Sequence, residues 1–342
     1  VKKGKKAIVV VFLLLAGLVV GYWIYTPGEP SYQGRSASVW LDDLGSAKRD
    51  KARAALKAMG TNAVPAIVRK LKESESPWRN KYRDSFHKFP HWLAKILPKP
   101  TKAEFGWFEG ANAFKAIGPS VEPRLVKLLK GESPSVRSAA AFGLHELRLS
   151  GADIKDAISG LIGALNDQSP MVRFFSAEAL GYAGPEAEPA IPALILLLND
   201  PKSAVRIDDD IRPTASKALG EIGPKAKAAL PALRNLLTNN DAYLRIVTAV
   251  AIWRIDGDVT NTLPVLIQGL TQVDEGSKGE VADGIGEMGP RAKAAVPALL
   301  HELNLPPSPD EFLNSNREFE NQFITNALKK IDPEAAAKAG VK

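Results

Sequence analysis

The chain has 342 residues, no cysteine, and a formal charge of +7 from 45 Lys and Arg against 38 Asp and Glu. The missing cysteine excludes disulfides, thiolate metal sites, thiol nucleophiles and lipidation of an N-terminal cysteine. The charge is local: Lys2, Lys3, Lys5 and Lys6, with the net +4 of the stretch from Ser74 to Phe108, account for it. The remainder is close to neutral, which argues against a groove that tracks nucleic-acid phosphates.

Residues 1–6 read as a basic cytoplasmic tail. Residues 7–25 are an uncharged, mostly apolar run that as a helix would span about 28 Å, near the thickness of a bilayer core. The preceding lysines and the terminal Tyr22, Trp23 and Tyr25 predict a single-pass anchor with its N-terminus inside. The rest would then lie in the periplasm or outside the cell, or be secreted if the segment is a cleaved signal peptide. Residues 26–35, rich in Pro, Gly and Ser, read as a linker. Ser38 then caps a first helix, with Trp40, Leu41 and Leu44 inward.

From residue 36 to 331 the sequence repeats. Gly118, Gly151, Gly184, Gly223, Gly257 and Gly289 close successive units about 33 residues apart, a helical-repeat period. The clearest unit runs from Pro213 to Thr238: Ala215, Ala218, Leu219 and Ile222 make an i, i+3, i+4, i+7 stripe. Gly223 in a left-handed C-terminal cap and Pro224, which has no N–H to donate, stop that helix. Pro231 opens a second one, whose apolar face is Leu233, Leu236 and Leu237. The same arrangement returns around Gly184 (Ala179, Leu180 and Ala183, then Leu194, Leu197 and Leu198) and around Gly257, with Pro264 as the start of its second helix. Such a hairpin cannot cover its own apolar surface and must stack on a neighbour. About seven of these units are predicted.

One interval breaks the period. Gly60 and Gly118 are 58 residues apart, which marks an insertion at 74–108. It mixes aromatic and basic residues, and Trp78, Arg79, Tyr82, Arg83, Phe86, Trp92 and Trp107 are the candidate partner-binding set, because Trp, Tyr and Arg dominate binding hot spots. Packing onto the first repeats, or contact with lipid headgroups, are the competing uses. His87 and His91 have metal-ligand spacing, but Pro90 disturbs the helix they would need. Asp208, Asp209 and Asp210 lengthen one repeat and read as a solvated loop flanked by Arg206 and Arg212. Near the end, Asp310 to Ile331 reads as a polar capping helix with Phe312, Phe319, Phe323, Ala327 and Ile331 on one side. Residues 332–342 are expected to fray.

The combined pattern is Asp-x-x-x-x-Val-Arg, then Ala-x-Ala-Leu-Gly, then Gly-Pro-x-Ala-x-x-Ala-x-Pro-Ala-Leu. It resembles the bacterial HEAT-like repeats of phycobilisome-lyase relatives over roughly residues 40 to 331. The resemblance implies an all-α, right-handed α-solenoid, and implies that Asp167, Arg173, Asp200 and Arg206 tie neighbouring repeats together. It is specific for fold and poor for function. No Gly-x-Ser-x-Gly elbow, phosphate loop or His-Glu-x-x-His is present, and no cofactor or metal is expected. The function expected is a membrane-anchored, non-catalytic scaffold for an unidentified protein partner. The alternative is a bilin lyase-like or small-molecule-binding protein.

Overall fold

Glycine decides where the first helix of each repeat ends. In the computed structural model of the chain, which describes residues 28–77, 81, 84–88, 105–199, 210–273, 277–305 and 311–340, Gly60, Gly118, Gly184 and Gly223 follow such helices with φ between 57° and 90°. Their ψ values lie between −138° and −170°, which leaves the left-handed helical well for a region essentially reserved for glycine. Gly257 alone of these C-caps shows the left-handed helical geometry expected for all of them, at φ 73° and ψ 23°. After Gly184, Gly223 and Gly289 the chain runs through a 3₁₀ segment of seven residues. Positions three apart eclipse in a 3₁₀ helix, so Ala187 and Ala190, Ala226 and Ala229, and Ala292 and Ala295 all point inward and are fully buried. That explains the repeated phrase Gly-Pro-x-Ala-x-x-Ala.

The chain divides into two units, Val1–Arg124 and Leu125–Lys342. In the first, β1 (Ser31–Tyr32) and β2 (Arg35–Ser36) pair antiparallel and lead into α1 (Ala37–Asp42), α2 (Arg49–Met59), α3 (Val64–Ser74) and α4 (Trp107–Ile117). The strand pair occupies part of the expected linker. Gln33 and Gly34 both have positive φ, the two-residue loop that closes a hairpin. Arg35 stacks over Trp40 at 3.9 Å and pairs with Asp43 at 2.6 Å, and Trp40 Nε1 donates to Tyr32 O. Trp40, Leu41 and Leu44 are inward as expected. Ser38 does not cap α1; it lies inside the helix and its hydroxyl donates to Glu29 Oε1 at 2.7 Å. Phe114, Leu56, Ile67 and Leu71 form the core of this unit.

The division falls inside α5 (Glu122–Leu128). The second unit continues with helix pairs α6 (Pro134–Leu149) and α7 (Ile158–Ala164), α8 (Pro170–Ala183) and α9 (Ile191–Leu198), α10 (Arg212–Ile222) and α11 (Leu230–Leu236), α12 (Ala242–Asp256) and α13 (Val259–Gln272), and α14 (Lys278–Glu287) and α15 (Val296–Leu303). It closes with α16 (Glu311–Ile331) and α17 (Pro333–Lys338). The first helices, hereafter A helices, pack in sequence: α6 on α8, α8 on α10, α10 on α12, and α14 on α16. The stripes read from sequence are inward: Ala215, Ala218, Leu219, Ile222, Ala179, Leu180, Ala183, Leu233, Leu194, Leu197 and Leu198 are all buried, while Leu236 and Leu237 are half-buried.

Small residues set how closely A helices approach. A Cβ on Gly181 would lie 3.0 Å from Ala218 Cα, one on Gly220 would lie 2.8 Å from Ala251 Cα, and one on Gly286 would lie 3.0 Å from Ala327 Cα. Backbone therefore meets backbone at these joints, which is the physical content of the Ala-Leu-Gly element.

Besides the Ser38 cap, four further expectations are corrected. Among the described residues no helix is long and apolar enough to cross a membrane, and residues 7–25, on which the anchor rested, lie outside the described residues. The single-pass anchor, and with it the periplasmic or extracellular placement and the N-terminus-in topology, therefore has no support among the described residues. Pro264 does not start its helix but lies inside α13, because Asp258 caps that helix earlier by accepting from Asn261 N at 3.1 Å. Residues 333–338 are helical where fraying is expected, because Asp332 caps the start by accepting from Ala335 N and Ala336 is buried. Phe319 does not face inward on α16: it is 65% exposed, and Ile324, Ala327, Leu328 and Ile331 make the buried side.

Candidate functional site

The recurring arginines act first on their own loops. Arg137 donates through Nη1 to Gly131 O and Glu132 O, Arg173 to Asp167 O and Gln168 O, and Arg245 to Asn239 O and Asn240 O. Each guanidinium thus satisfies carbonyls just before its own A helix. Asp167 makes a tie between neighbouring repeats through Arg137. The Asp167 carboxylate accepts a bidentate pair from Arg137 at 2.6 and 2.9 Å, across 30 residues, and also caps Ser169 N at 2.8 Å. Arg245 makes the corresponding contact with Gln272. Asp200 and Arg206 lie outside the described residues.

Of the insertion set, Trp78, Arg79, Tyr82, Arg83 and Trp92 lie outside the described residues. Phe86 sits in a short 3₁₀ turn, Phe86–Lys88. Trp107 opens α4 and meets Phe108 edge-on at 5.9 Å, with Phe108 half exposed. Phe105 is buried with Lys70 Nζ 5.6 Å from its ring centre. His91 also lies outside the described residues. Asp210 forms a bidentate pair with Arg212 and accepts its backbone N–H at 2.9 Å, opening α10.

A surface that sequence reasoning missed lies on the outward side of the A helices in the second unit. Helix α8 is apolar on two sides. Val172, Ala179 and Ala183 face the core, while Met171, Phe174 and Tyr182 are 37%, 38% and 46% exposed. These three and Glu178 follow i, i+3, i+7, i+11 spacing, one face of a helix. Phe175 lies beneath them, 4.4 Å from the Phe142 ring and 5.2 Å from Phe174. His145 on α6 sits against Phe142 and Tyr182 and brings Nε2 to 3.7 Å from Glu178. The available signal was a second apolar stripe on α8, Met171, Phe174 and Tyr182, beside the stripe that faces the core.

Next to it a groove of about 560 Å³ crosses α10, α12, α14 and α16. Its apolar lining is Val247, Val250, Phe319 and Phe323, and its polar lining includes Lys217, Arg254, Glu280, Asp283 and Glu320. Glycines make the hollow. A Cβ on Gly284 would lie 2.6 Å from Val250 Cγ2, and one on Gly279 would lie 3.0 Å from Phe323 Cδ2, so side chains of α12 and α16 lie over α14. Lys217 pairs with Glu280 at 2.8 Å, Tyr243 donates to Glu280 at 3.1 Å, and Arg254 bridges Glu221 and Glu287.

The electrostatics couple the two features. Burial raises the Glu178 carboxyl above its ordinary value near 4.5, Lys217 opposes that, and the charges of Glu280 and Glu221 add to it. Burial, then the Glu280 charge, pushes the Tyr243 hydroxyl up to about 12. Burial alone would lower Lys217, but its hydrogen bond to Glu280 and the surrounding negative groups hold it above its usual value. Arg254 is raised, chiefly by its hydrogen bond to Glu287. Neighbouring carboxylates thus hold up the two cations, Lys217 and Arg254, whereas the rises of Glu178 and Tyr243 come first from burial.

The model for HEAT repeats matches residues 122–208. No curated protein matches the chain. Among solved structures the chain is similar to the complex of CpcE and CpcF of phycocyanin lyase from Nostoc sp. PCC7120, at 19% identity and a TM-score of 0.46 over 92% of this chain and 96% of that one. It is also similar to a mutant of Kap121p, at 17% identity and a TM-score of 0.50 over 86% of this chain and 33% of that one. A designed armadillo repeat protein is similar at 18% identity and a TM-score of 0.34, over 75% of this chain and 98% of that one. At such identities the likeness speaks for fold alone.

Proposed function

We propose that this chain, which belongs to the HEAT-repeat family, is a non-catalytic protein-binding scaffold whose docking surface is the outward face of the A helices in its second unit. Stacked helical repeats offer extended binding surfaces, and the finer assignment rests on one observation. Large apolar side chains that would ordinarily be buried, Met171, Phe174, Tyr182 and Phe319, are exposed on that face beside a groove. Clustered exposed apolar surface marks interaction sites, whereas scattered single residues do not. Rigid aromatic rings also bury much area at low entropic cost.

The test is site-specific photo-crosslinking in cells of the source organism, with the reactive residue at 174, 182 or 319, and at 196 on the exposed side of α9 as control. A discrete protein adduct from the first three positions and none from 196 is expected. Adducts of equal intensity from all four, or none from any, remove this face as the docking surface. Half-exposed Phe108 favours the insertion at 74–108 as a second docking element; deleting it is expected to reduce adduct yield and leave the second unit helical by circular dichroism. The groove volume also falls within the range of small-molecule sites. A lyase-like or small-molecule role would show as a co-purifying compound in native mass spectrometry, with absorbance beyond the aromatic band if it is a bilin.

A further inference from the structure

The α8 face and the groove over α14 together describe the chemistry of what they hold. Around them stand six carboxylates, Glu178, Glu221, Glu280, Asp283, Glu287 and Glu320, against four bases, Lys217, Arg254, Lys330 and Arg148, the last donating to Tyr182 O at 2.8 Å. Each base is already committed: Lys217 to Glu280, Arg254 to Glu221 and Glu287, and Lys330 to Asp283 at 3.6 Å. Glu178 differs from the others. Its only ionic contact among the described residues is His145 at 3.7 Å, and it lies between the exposed rings of Phe174 and Tyr182, one helical turn from each. An arginine or lysine entering there would find a carboxylate for its charge and ring faces for its stem and cation, an arrangement strong for a desolvated cation. The neighbouring groove offers Val247, Val250, Phe319 and Phe323 to apolar side chains.

We propose that the occupant of this surface is a cationic, amphipathic peptide segment of a partner protein, with an arginine or lysine on Glu178 between Phe174 and Tyr182 and apolar residues in the groove over α14. This rests on the scaffold reading and narrows it to one class of partner. A nucleic acid would be repelled by the same carboxylates, and a strongly acidic segment likewise. The groups facing Glu178 are His145 on α6, Lys217 and Glu221 on α10, and Glu280 on α14. An entering cation stabilises ionised Glu178, so binding strengthens as pH rises through the raised Glu178 value, while His145, if it charges at low pH, acts in the same direction by competing for the carboxylate.

Fluorescence polarisation on the full chain tests this with three labelled 12-residue peptides of alternating leucine and a second residue: arginine, glutamine or glutamate. The arginine peptide is expected to bind, the other two at least tenfold more weakly, with affinity falling as salt rises. Glu178→Gln is expected to weaken the arginine peptide tenfold or more without lowering Tm, and to flatten the pH dependence, which a merely structural role would not do. The Phe174→Ala, Tyr182→Ala pair should weaken it further. Equal binding of the glutamine peptide, no binding of any peptide, or an unchanged affinity in Glu178→Gln overturns the cationic occupant. If the photo-adducts at 174 and 182 persist in those cases, the scaffold reading stands alone. If they are absent as well, both fall, and an adduct with a second copy of this chain overturns the occupant in favour of self-association.

Discussion

The joint between α10 and α12 and the joint between α12 and α14 each use a glycine, but on opposite partners of the pair. In the first, glycine is on the earlier helix: Gly220 lets the α10 backbone touch Ala251, and the joint closes solidly. In the second, glycine is on the later helix, where Gly284 sits beneath Val250. There the surface sinks into a groove instead of closing. Helix α14 is held from another direction, by the buried Lys278–Glu302 pair at 2.9 Å, which ties it to α15. A repeat array can thus open a ligand-sized hollow without an inserted loop, by moving a glycine across one interface.

The largest change expected is from Glu302→Ala. Removing one partner of a buried ion pair costs up to about 3–5 kcal/mol, and urea melts of the second unit would register it. If the loss were under about 1 kcal/mol, α14 would be held by packing alone. Gly220→Val should follow at about 3 kcal/mol, since its Cβ meets backbone that cannot step aside. Gly284→Ala should cost only about 1 kcal/mol, because the atom it meets is the end of the Val250 side chain; the same change should narrow the groove and weaken the arginine peptide. Equal costs at 220 and 284 would erase the contrast between the joints.

The smallest effect has the opposite sign. Because the folded-state pKa of Glu178 is raised, the native chain holds that proton more tightly than the unfolded chain. Its contribution therefore favours folding at low pH and is lost as pH rises from about 4.5 through the raised value. Glu178→Gln should raise Tm at pH 7 and leave it unchanged near pH 4. A fall in Tm at pH 7 would mean that Glu178 serves stability rather than binding.

Much of the fold was legible because it is local. Glycine followed by proline stops a helix wherever it occurs, and Ala215, Ala218, Leu219 and Ile222 announce their face by spacing alone. Side-chain partners across repeats were not legible in the same way. Asp167 stands six residues before Arg173, yet its carboxylate reaches back to Arg137, 30 residues away, while Arg173 takes the Asp167 carbonyl. Lys278 and Glu302 carry no sequence signal as a pair. The binding face was hidden for a related reason: Met171, Phe174 and Tyr182 look like core residues until it is known that α6 and α10 cover the opposite side of α8. The groove needs Gly279 and Gly284 beneath residues of two other helices, a coincidence of packing and not of periodicity.

The turn glycines carry a consequence for chirality. At φ 74° and ψ −143°, Gly223 occupies the mirror image of the extended polyproline well, and Gly184, at 65° and −138°, does the same. A D-alanine there would sit in its own relaxed conformation while restricting the unfolded chain, so a semisynthetic chain with D-alanine at 223 should melt higher than the natural one, and its L-alanine twin lower. Handedness at a single atom would then separate two otherwise identical molecules.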